Sequence, residues 1–170
     1  MLICSRLVDT VFFRPELYYI ACVRHLGAGY VDHPPLIAWI AWGVLHTIGS
    51  SLLALRLLPA LASGLLVCMT AQIAREWGGG RYARFLAALS IAPVPIYLTL
   101  HHWLTMNAFE PLCWAGVFWA ASRPILRQEP RYWVWIGVLA GIGLENKYSI
   151  VFPLAGLFLA ILLTPERKWL

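Results

Sequence analysis

Long apolar runs, separated by short segments that hold most of the charge, constrain this chain more than any other feature. The run at residues 52–74, for example, contains a single charged residue, Arg56. Over the whole chain 61% of residues are hydrophobic and 12% are charged, whereas soluble domains hold about 45–50% apolar and about 25% charged residues. A soluble core of 170 residues cannot cover so much apolar surface. The sequence therefore predicts an all-α, polytopic transmembrane helix bundle.

The apolar runs divide this bundle into about five membrane helices, because a spanning helix needs about 17–25 residues. A further run, Pro34–Ile48, is too short to span comfortably. We expect it to form a juxtamembrane helix at the outer interface, with Pro34 and Pro35 in its first turn. Residues 1–33 then form an outer-face loop, and residues 1–170 are one N-terminal portion of a transmembrane domain. The five predicted spans lie at residues 52–74, 83–100, 108–122, 132–144 and 148–163.

Basic residues mark one side of the predicted bundle, which the positive-inside rule places in the cytoplasm. Three polar segments, at residues 14–33, 101–110 and 145–147, then share the outer, periplasmic face of a bacterial-type inner (plasma) membrane. The net charge of +5 is accounted for by membrane topology, so we expect no binding to nucleic acid. The basic residues of this side are Arg75, Arg81, Arg84, Arg123, Arg127, Arg131, Arg167 and Lys168.

Four motifs follow one another along the chain. They are Glu16-Leu17-Tyr18-Tyr19 with the later Gly29–Leu36, then Leu55–Pro59, Leu104–Leu112 and Gly143–Tyr148. In this order they resemble the front part of membrane glycosyltransferases that use polyprenyl-phosphate sugars. These are the GT-C-type enzymes of the protein-mannosyltransferase and aminoarabinose-transferase branch. The resemblance covers residues 12–170 and implies transfer of a sugar to a lipid, glycan or protein acceptor that the sequence does not identify, beside membrane lipid at the outer face.

Such a transfer needs a carboxylate to take or orient the acceptor proton, and cations to neutralise the departing phosphate. The resemblance assigns the carboxylate roles to Asp32 and Glu110, with Glu16 as a displaced acid one residue from the family's position. Asp32 can instead belong to a turn that starts the next helix, and Glu110 can be a helix-start carboxylate favoured by the helix dipole.

The resemblance assigns the contacts with the donor phosphate to His33, Arg56 and Lys147. His33 can instead cap the following helix, while Arg56 and Lys147 can be interface residues that snorkel. Contacts with the sugar or the acceptor are predicted for Tyr18, Tyr19, Tyr30 and Asn107.

One position departs from the family pattern. Where the family has its catalytic aspartate, this chain has Pro15, which has no titratable group. The chain is also expected to lack the family's first membrane helix. An inactive, truncated remnant of the family, which binds lipid or a partner without catalysis, is therefore the alternative to a glycosyltransferase.

The sequence requires no cofactor, although a divalent metal is possible. His101 and His102 could join Asp32 around an ion, because histidine and carboxylate suit Zn²⁺ or Mn²⁺. Their spacing along the chain does not show that they meet.

Overall fold

The computed structural model describes residues 14–165, and every regular element in that part of the chain is a helix. This confirms the prediction of an all-α bundle. The elements in chain order are α1 (Arg14–Cys22), a 3₁₀ turn (Val23–His25), α2 (Leu36–Thr47), α3 (Leu52–Glu76), α4 (Arg81–Ile91), α5 (Pro95–Leu100), α6 (Met106–Arg127), α7 (Tyr132–Asn146), a second 3₁₀ turn (Tyr148–Ile150) and α8 (Val151–Leu163).

Helices α3, α6 and α7 form the centre of the bundle. Near one end the Arg56 side chain of α3 meets His102, which lies just ahead of α6. At the other end Glu76 of α3 meets Arg127 of α6. Helices α3 and α6 therefore run parallel to each other, and α7 runs antiparallel to both. We name the end where α3 and α6 begin and α7 ends the polar end, and the opposite end the arginine end.

Helix α3 fits the dimensions of a bilayer. It has 25 residues, which gives a length of about 37 Å, more than the hydrocarbon thickness of about 30 Å. Within residues 14–165 it is the one helix whose length and apolar composition together allow it to cross a membrane. Large apolar side chains also remain exposed along α8, such as Phe152 (74%) and Leu163 (82%). Such a surface suits contact with lipid or further apolar helices better than contact with water.

Two predicted segments differ from the structure. The run at residues 83–100 forms two helices, because Pro93 and Pro95 have no backbone N–H to donate and the first helix ends ahead of them. The segment ahead of Pro34–Ile48 is also more regular than a loop, since it contains α1 and a 3₁₀ turn. The helix predicted in Pro34–Ile48 is present as Leu36–Thr47.

A small apolar core fixes α1 and α2 to the polar end. Its buried members come from α1 (Tyr19), α2 (Ile37 and Ala41), the first turn of α3 (Leu55) and the segment before α6 (Leu104). Because these contacts join segments far apart in the sequence, they bring the first and second predicted polar segments together.

At the arginine end one buried carboxylate holds two cations. The Glu76 side chain is 2% exposed and lies 2.9 Å from Arg123 and 2.7 Å from Arg127. The Arg123 guanidinium also lies 5.3 Å from the ring centres of both Trp119 and Tyr132. These contacts tie the end of α3 to the end of α6 and the start of α7.

Candidate active site at one end of the bundle

A buried ion pair forms the deepest part of the polar end. The Glu16 carboxylate accepts hydrogen bonds from Nε and Nη2 of Arg56 at 3.4 and 3.3 Å. It also accepts one from the backbone N–H of Leu104 at 3.1 Å. Glu16 is 0% exposed and Arg56 is 1% exposed. This pair therefore links α1, α3 and the segment before α6, and its charged groups face each other rather than solvent.

A second ion pair lies nearer the surface. The Lys147 ammonium donates to a Glu110 carboxylate oxygen at 2.7 Å and to the Asn107 side-chain oxygen at 2.9 Å. Ser149 donates to the other Glu110 oxygen. The Lys147 side chain is 36% exposed and that of Glu110 is 18% exposed. The structure thus brings the second and third predicted polar segments together around one accessible cation.

The backbone at the end of α7 explains how Lys147 reaches this position. A Cβ atom on Gly143 would lie 2.7 Å from a side-chain carbon of Ile150, so glycine lets the chain after α7 pack back closely. Lys147 then leaves the helix in an extended conformation. The spacing of Gly143 and Lys147 in the fourth motif therefore has a physical basis in a tight reversal that directs the chain toward α6.

Two residues of this region were missed by the sequence analysis. Asn146 is 1% exposed and donates from its side-chain nitrogen to the Met106 carbonyl at 2.9 Å. Ser149 bonds to Glu110, as described above. Both flank Lys147 in the sequence, but neither residue type in isolation indicates a site. Asn146 lies within the predicted polar segment at residues 145–147 and Ser149 lies two residues beyond it, and this placement was the available signal.

Asp32 is the exposed carboxylate of the first polar segment. The Tyr18 hydroxyl donates to it at 2.7 Å. This hydrogen bond lowers the pKa of Asp32 and raises the pKa of the Tyr18 hydroxyl. Asp32 is therefore held as an ionised, exposed hydrogen-bond acceptor.

His33 lies beneath this loop, where it is 2% exposed. Its Nδ1 lies 2.7 Å from the Pro34 carbonyl, which only accepts, so Nδ1 carries the hydrogen. Its Nε2 faces the Cys22 sulfur at 3.9 Å. The ring is therefore occupied within the loop, and neither nitrogen is open to the phosphate that the sequence analysis predicted for it.

The predicted tyrosines surround the His33 ring. Their ring centres lie 4.7 Å (Tyr30), 5.3 Å (Tyr19) and 5.5 Å (Tyr18) from that of His33. Tyr19 is buried and Tyr30 half-buried, whereas Tyr18 is 43% exposed. Among the three, Tyr18 presents the most surface to a ligand.

The two histidines predicted as metal ligands have separate partners. His102 Nε2 lies 3.4 Å from Arg56 Nη1, and His101 Nδ1 lies 2.7 Å from the Tyr97 carbonyl. Burial lowers the pKa of His101, whose Nε2 is buried without a hydrogen-bond partner among residues 14–165. In that part of the chain no three His, Cys, Asp or Glu side chains are grouped as a metal site would require.

Fold and site together define a helical membrane protein that gathers paired carboxylates and cations at one end. Residues 32–170 match the profile of the dolichyl-phosphate-mannose-protein mannosyltransferase family. The chain therefore belongs to this family, which consists of glycosyltransferases of the GT-C type. Searches of curated proteins and of solved structures found no match. Since the match begins at Asp32, the assignments of Glu16 and Tyr18 rest on their own residues and contacts.

Proposed function

We propose that this chain takes part in moving a sugar from a polyprenyl-phosphate carrier to an acceptor at the outer face of a bacterial-type inner membrane. The observation that carries this proposal is the accessible Lys147 ammonium, held between Asn107 and Glu110 at the polar end. The family match supports the class of donor. The acceptor is a hydroxyl or amine of a lipid, glycan or protein.

Lys147 is the proposed contact with the donor phosphate. An ammonium has three N–H donors, and Asn107 and Glu110 take two of them. The third remains for a phosphate oxygen, which the exposure of the side chain permits. Glu110 then holds the ammonium through one oxygen while Ser149 donates to the other, and on this geometry we assign Glu110 a positioning role.

Arg56 and Glu16 are proposed to support the site from below. Their mutual burial leaves neither group open in the described structure, so a direct role for Arg56 at the phosphate would require the pair to open. Instead, Glu16 fixes α1 against the Leu104 backbone and so positions the loop that carries Asp32.

Asp32 and Tyr18 are proposed to meet the acceptor. A general base works best when its pKa lies near the working pH. The pKa of Asp32 is lowered by Tyr18, so Asp32 is better suited to orient an acceptor group than to remove its proton. This consideration and Pro15 support a second candidate function, which is binding of the lipid-linked donor without transfer.

The test is sugar transfer by the chain in vesicles reconstituted from a membrane extract, which supplies lipid, glycan and protein acceptors, with radiolabelled dolichyl-phosphate mannose as donor. Lys147→Ala should lower transfer about 10²–10³-fold, the usual effect of removing one preorganised donor from a transition state. Glu145→Gln is the matched control, because it removes a charge from an exposed neighbour in the same turn. Equal transfer by Lys147→Ala and wild type would refute the site.

The same vesicles distinguish the second candidate. Retention of dolichyl phosphate without any transfer by the wild-type chain would favour donor binding alone. Transfer is expected without added metal, and a loss in EDTA that Mn²⁺ or Zn²⁺ restores would revise this. Orientation is tested by labelling Glu145→Cys and Arg131→Cys with an impermeant maleimide on intact cells. Each substitution is made in a variant whose four native cysteines are replaced by alanine, and only the first should react.

A further inference from the structure

Asn146 connects the lysine of the site to the helix that carries the lysine's partners. Its side-chain nitrogen donates to the Met106 carbonyl at 2.9 Å. Met106 begins α6, and Asn107 and Glu110 follow in the first turns of that helix. Lys147 is the next residue after Asn146. One hydrogen bond therefore fixes the backbone on which Lys147 stands relative to its two partners.

The other half of the Asn146 amide is unsatisfied. Its side-chain oxygen is buried and has no hydrogen-bond partner within residues 14–165. A buried acceptor without a partner lowers stability. An apolar residue of similar size, such as leucine, would therefore suit the packing better. The amide is explained by what its nitrogen holds rather than by its contribution to the core.

Lysine needs such a backbone constraint more than arginine does. Its ammonium is a point charge on a flexible four-carbon stem, so side-chain geometry alone does not define its position. In this site the constraint comes from two sides. The close contact between Gly143 and Ile150 sets the path of the chain after α7, and Asn146 ties that path to α6.

We propose that Asn146 is the positioning residue of the donor site. It holds the end of α7 against the start of α6, so that the Lys147 ammonium stays between Asn107 and Glu110 with one N–H directed away from the protein. The expected effect of Asn146 on donor binding rests on the proposed contact between Lys147 and the donor phosphate. Its expected effect on the position of the Lys147 ammonium is independent of that contact.

Amine labelling tests the position of Lys147 without relying on turnover. The chain contains only two lysines, Lys147 and Lys168, so an amine reagent followed by peptide mass analysis resolves both, with Lys168 as reference. In Asn146→Leu, Lys147 should react about tenfold faster than in wild type, the factor that one ordinary hydrogen bond supports. Glu145→Gln should leave the rate unchanged.

Thermal unfolding separates positioning from simple structural support. Asn146→Leu exchanges one hydrogen bond for the removal of an unsatisfied acceptor, so its melting temperature should stay close to that of wild type while Lys147 becomes reactive. A wild-type labelling rate in Asn146→Leu would overturn the proposal. If Asn146→Leu does not fold, Asn146→Ser replaces it, because the serine hydroxyl is too short to reach the Met106 carbonyl. Faster labelling of Lys147 in Asn146→Ser would support the proposal, and a wild-type labelling rate would overturn it.

A final arm keeps this inference apart from the proposed function. Saturating dolichyl phosphate should slow the labelling of Lys147 in wild type, and more of it should be needed in Asn146→Leu. If dolichyl phosphate does not protect wild-type Lys147, the proposed phosphate contact fails, and the labelling rates without lipid still decide whether Asn146 positions the lysine.

Discussion

The buried pair of Glu16 and Arg56 gives the sharpest prediction about how the polar end is held together. Removing one partner of a buried ion pair costs about 3–5 kcal/mol. For Glu16→Gln we expect the lower value, about 3 kcal/mol, because the amide still offers an oxygen to the Leu104 N–H and Arg56 keeps His102 at 3.4 Å. Solvent does not screen the attraction between the two charges appreciably, since both side chains are almost fully buried.

The effect can be measured through a cysteine on the same helix. Cys22 lies in α1, is 8% exposed and packs against the His33 ring, so a thiol reagent reaches it only when α1 detaches. A loss of about 3 kcal/mol should raise the labelling rate of Cys22 roughly 100-fold, because each 1.4 kcal/mol is a factor of ten. Cys22 of the wild-type chain in the same detergent provides the reference rate, because Cys68 lies well inside the apolar helix α3. Arg14→Gln, which removes an exposed charge from α1, should leave Cys22 protected.

Two results would refute this reasoning. The first is a Cys22 labelling rate in Glu16→Gln within about twofold of wild type, because the predicted free-energy change corresponds to a far larger factor. The second comes from the double variant Glu16→Leu with Arg56→Met. Replacing both partners of a buried pair by apolar residues is often neutral, so the double variant should regain most of the protection. A double variant as reactive as the single one would show that an uncompensated buried charge is not the cause.

Three further predictions concern single positions near the site. Gly143→Ala should lower the free energy of unfolding by about 1–3 kcal/mol, because its Cβ would lie 2.7 Å from the buried Ile150 side chain. The control Gly141→Ala has open space around the new Cβ and should change the free energy of unfolding by less than about 1 kcal/mol. Thermal unfolding of both variants in the same detergent makes the comparison. Tyr18→Phe should raise the pKa of Asp32 toward its ordinary value of about 3.9, which infrared spectroscopy of the carboxylate measures. Because the pKa of Asp32 is lowered in the folded chain, its stabilising effect is present above about pH 4 and is lost in more acidic solution. An unchanged Asp32 titration in Tyr18→Phe would contradict the assignment. Burial lowers the pKa of His101, so wild-type stability should fall as the pH drops below about 6.5; His101→Asn should remove this fall, and an equal fall in both proteins would exclude His101 as its source.

The helices and the family were predictable because both depend on local sequence. Apolar runs between charged segments gave α3 within two residues of its observed end, and the motifs indicated the family that residues 32–170 match. Two prolines end α4 and separate it from α5 at residues 92–94. The run at residues 83–100 was predicted from its apolar residues alone, which does not take these prolines into account. The helix α1 was not predicted, since it has only nine residues, begins with Arg14, Pro15 and Glu16, and is held by tertiary contacts.

The separation of supporting from accessible charges was not predictable, because it depends on contacts between distant residues. Glu16 is buried by an arginine 40 positions away and by a backbone N–H 88 positions away. Asp32 has a similar sequence setting but remains exposed, with Tyr18 as its partner. Both are acidic residues of the first polar segment, and the sequence offered no reason to rank one above the other.

The pairing of Lys147 with Glu110 bears on how such a site can favour the transition state. A sugar phosphodiester carries one negative charge, and the polyprenyl phosphate that departs carries charge approaching two. A lysine already neutralised by a carboxylate 2.7 Å away attracts the single charge weakly, because Glu110 repels it. As charge grows on the departing oxygen, the attraction from Lys147 and the repulsion from Glu110 grow in the same proportion. Interactions that strengthen between the bound donor and the transition state are the ones that accelerate a reaction. In the proposed site Glu110 weakens the net field of the lysine, so its benefit lies in holding the Lys147 ammonium in one place together with Asn107 and Asn146. A cation that is already in place needs no reorganisation when the charge moves.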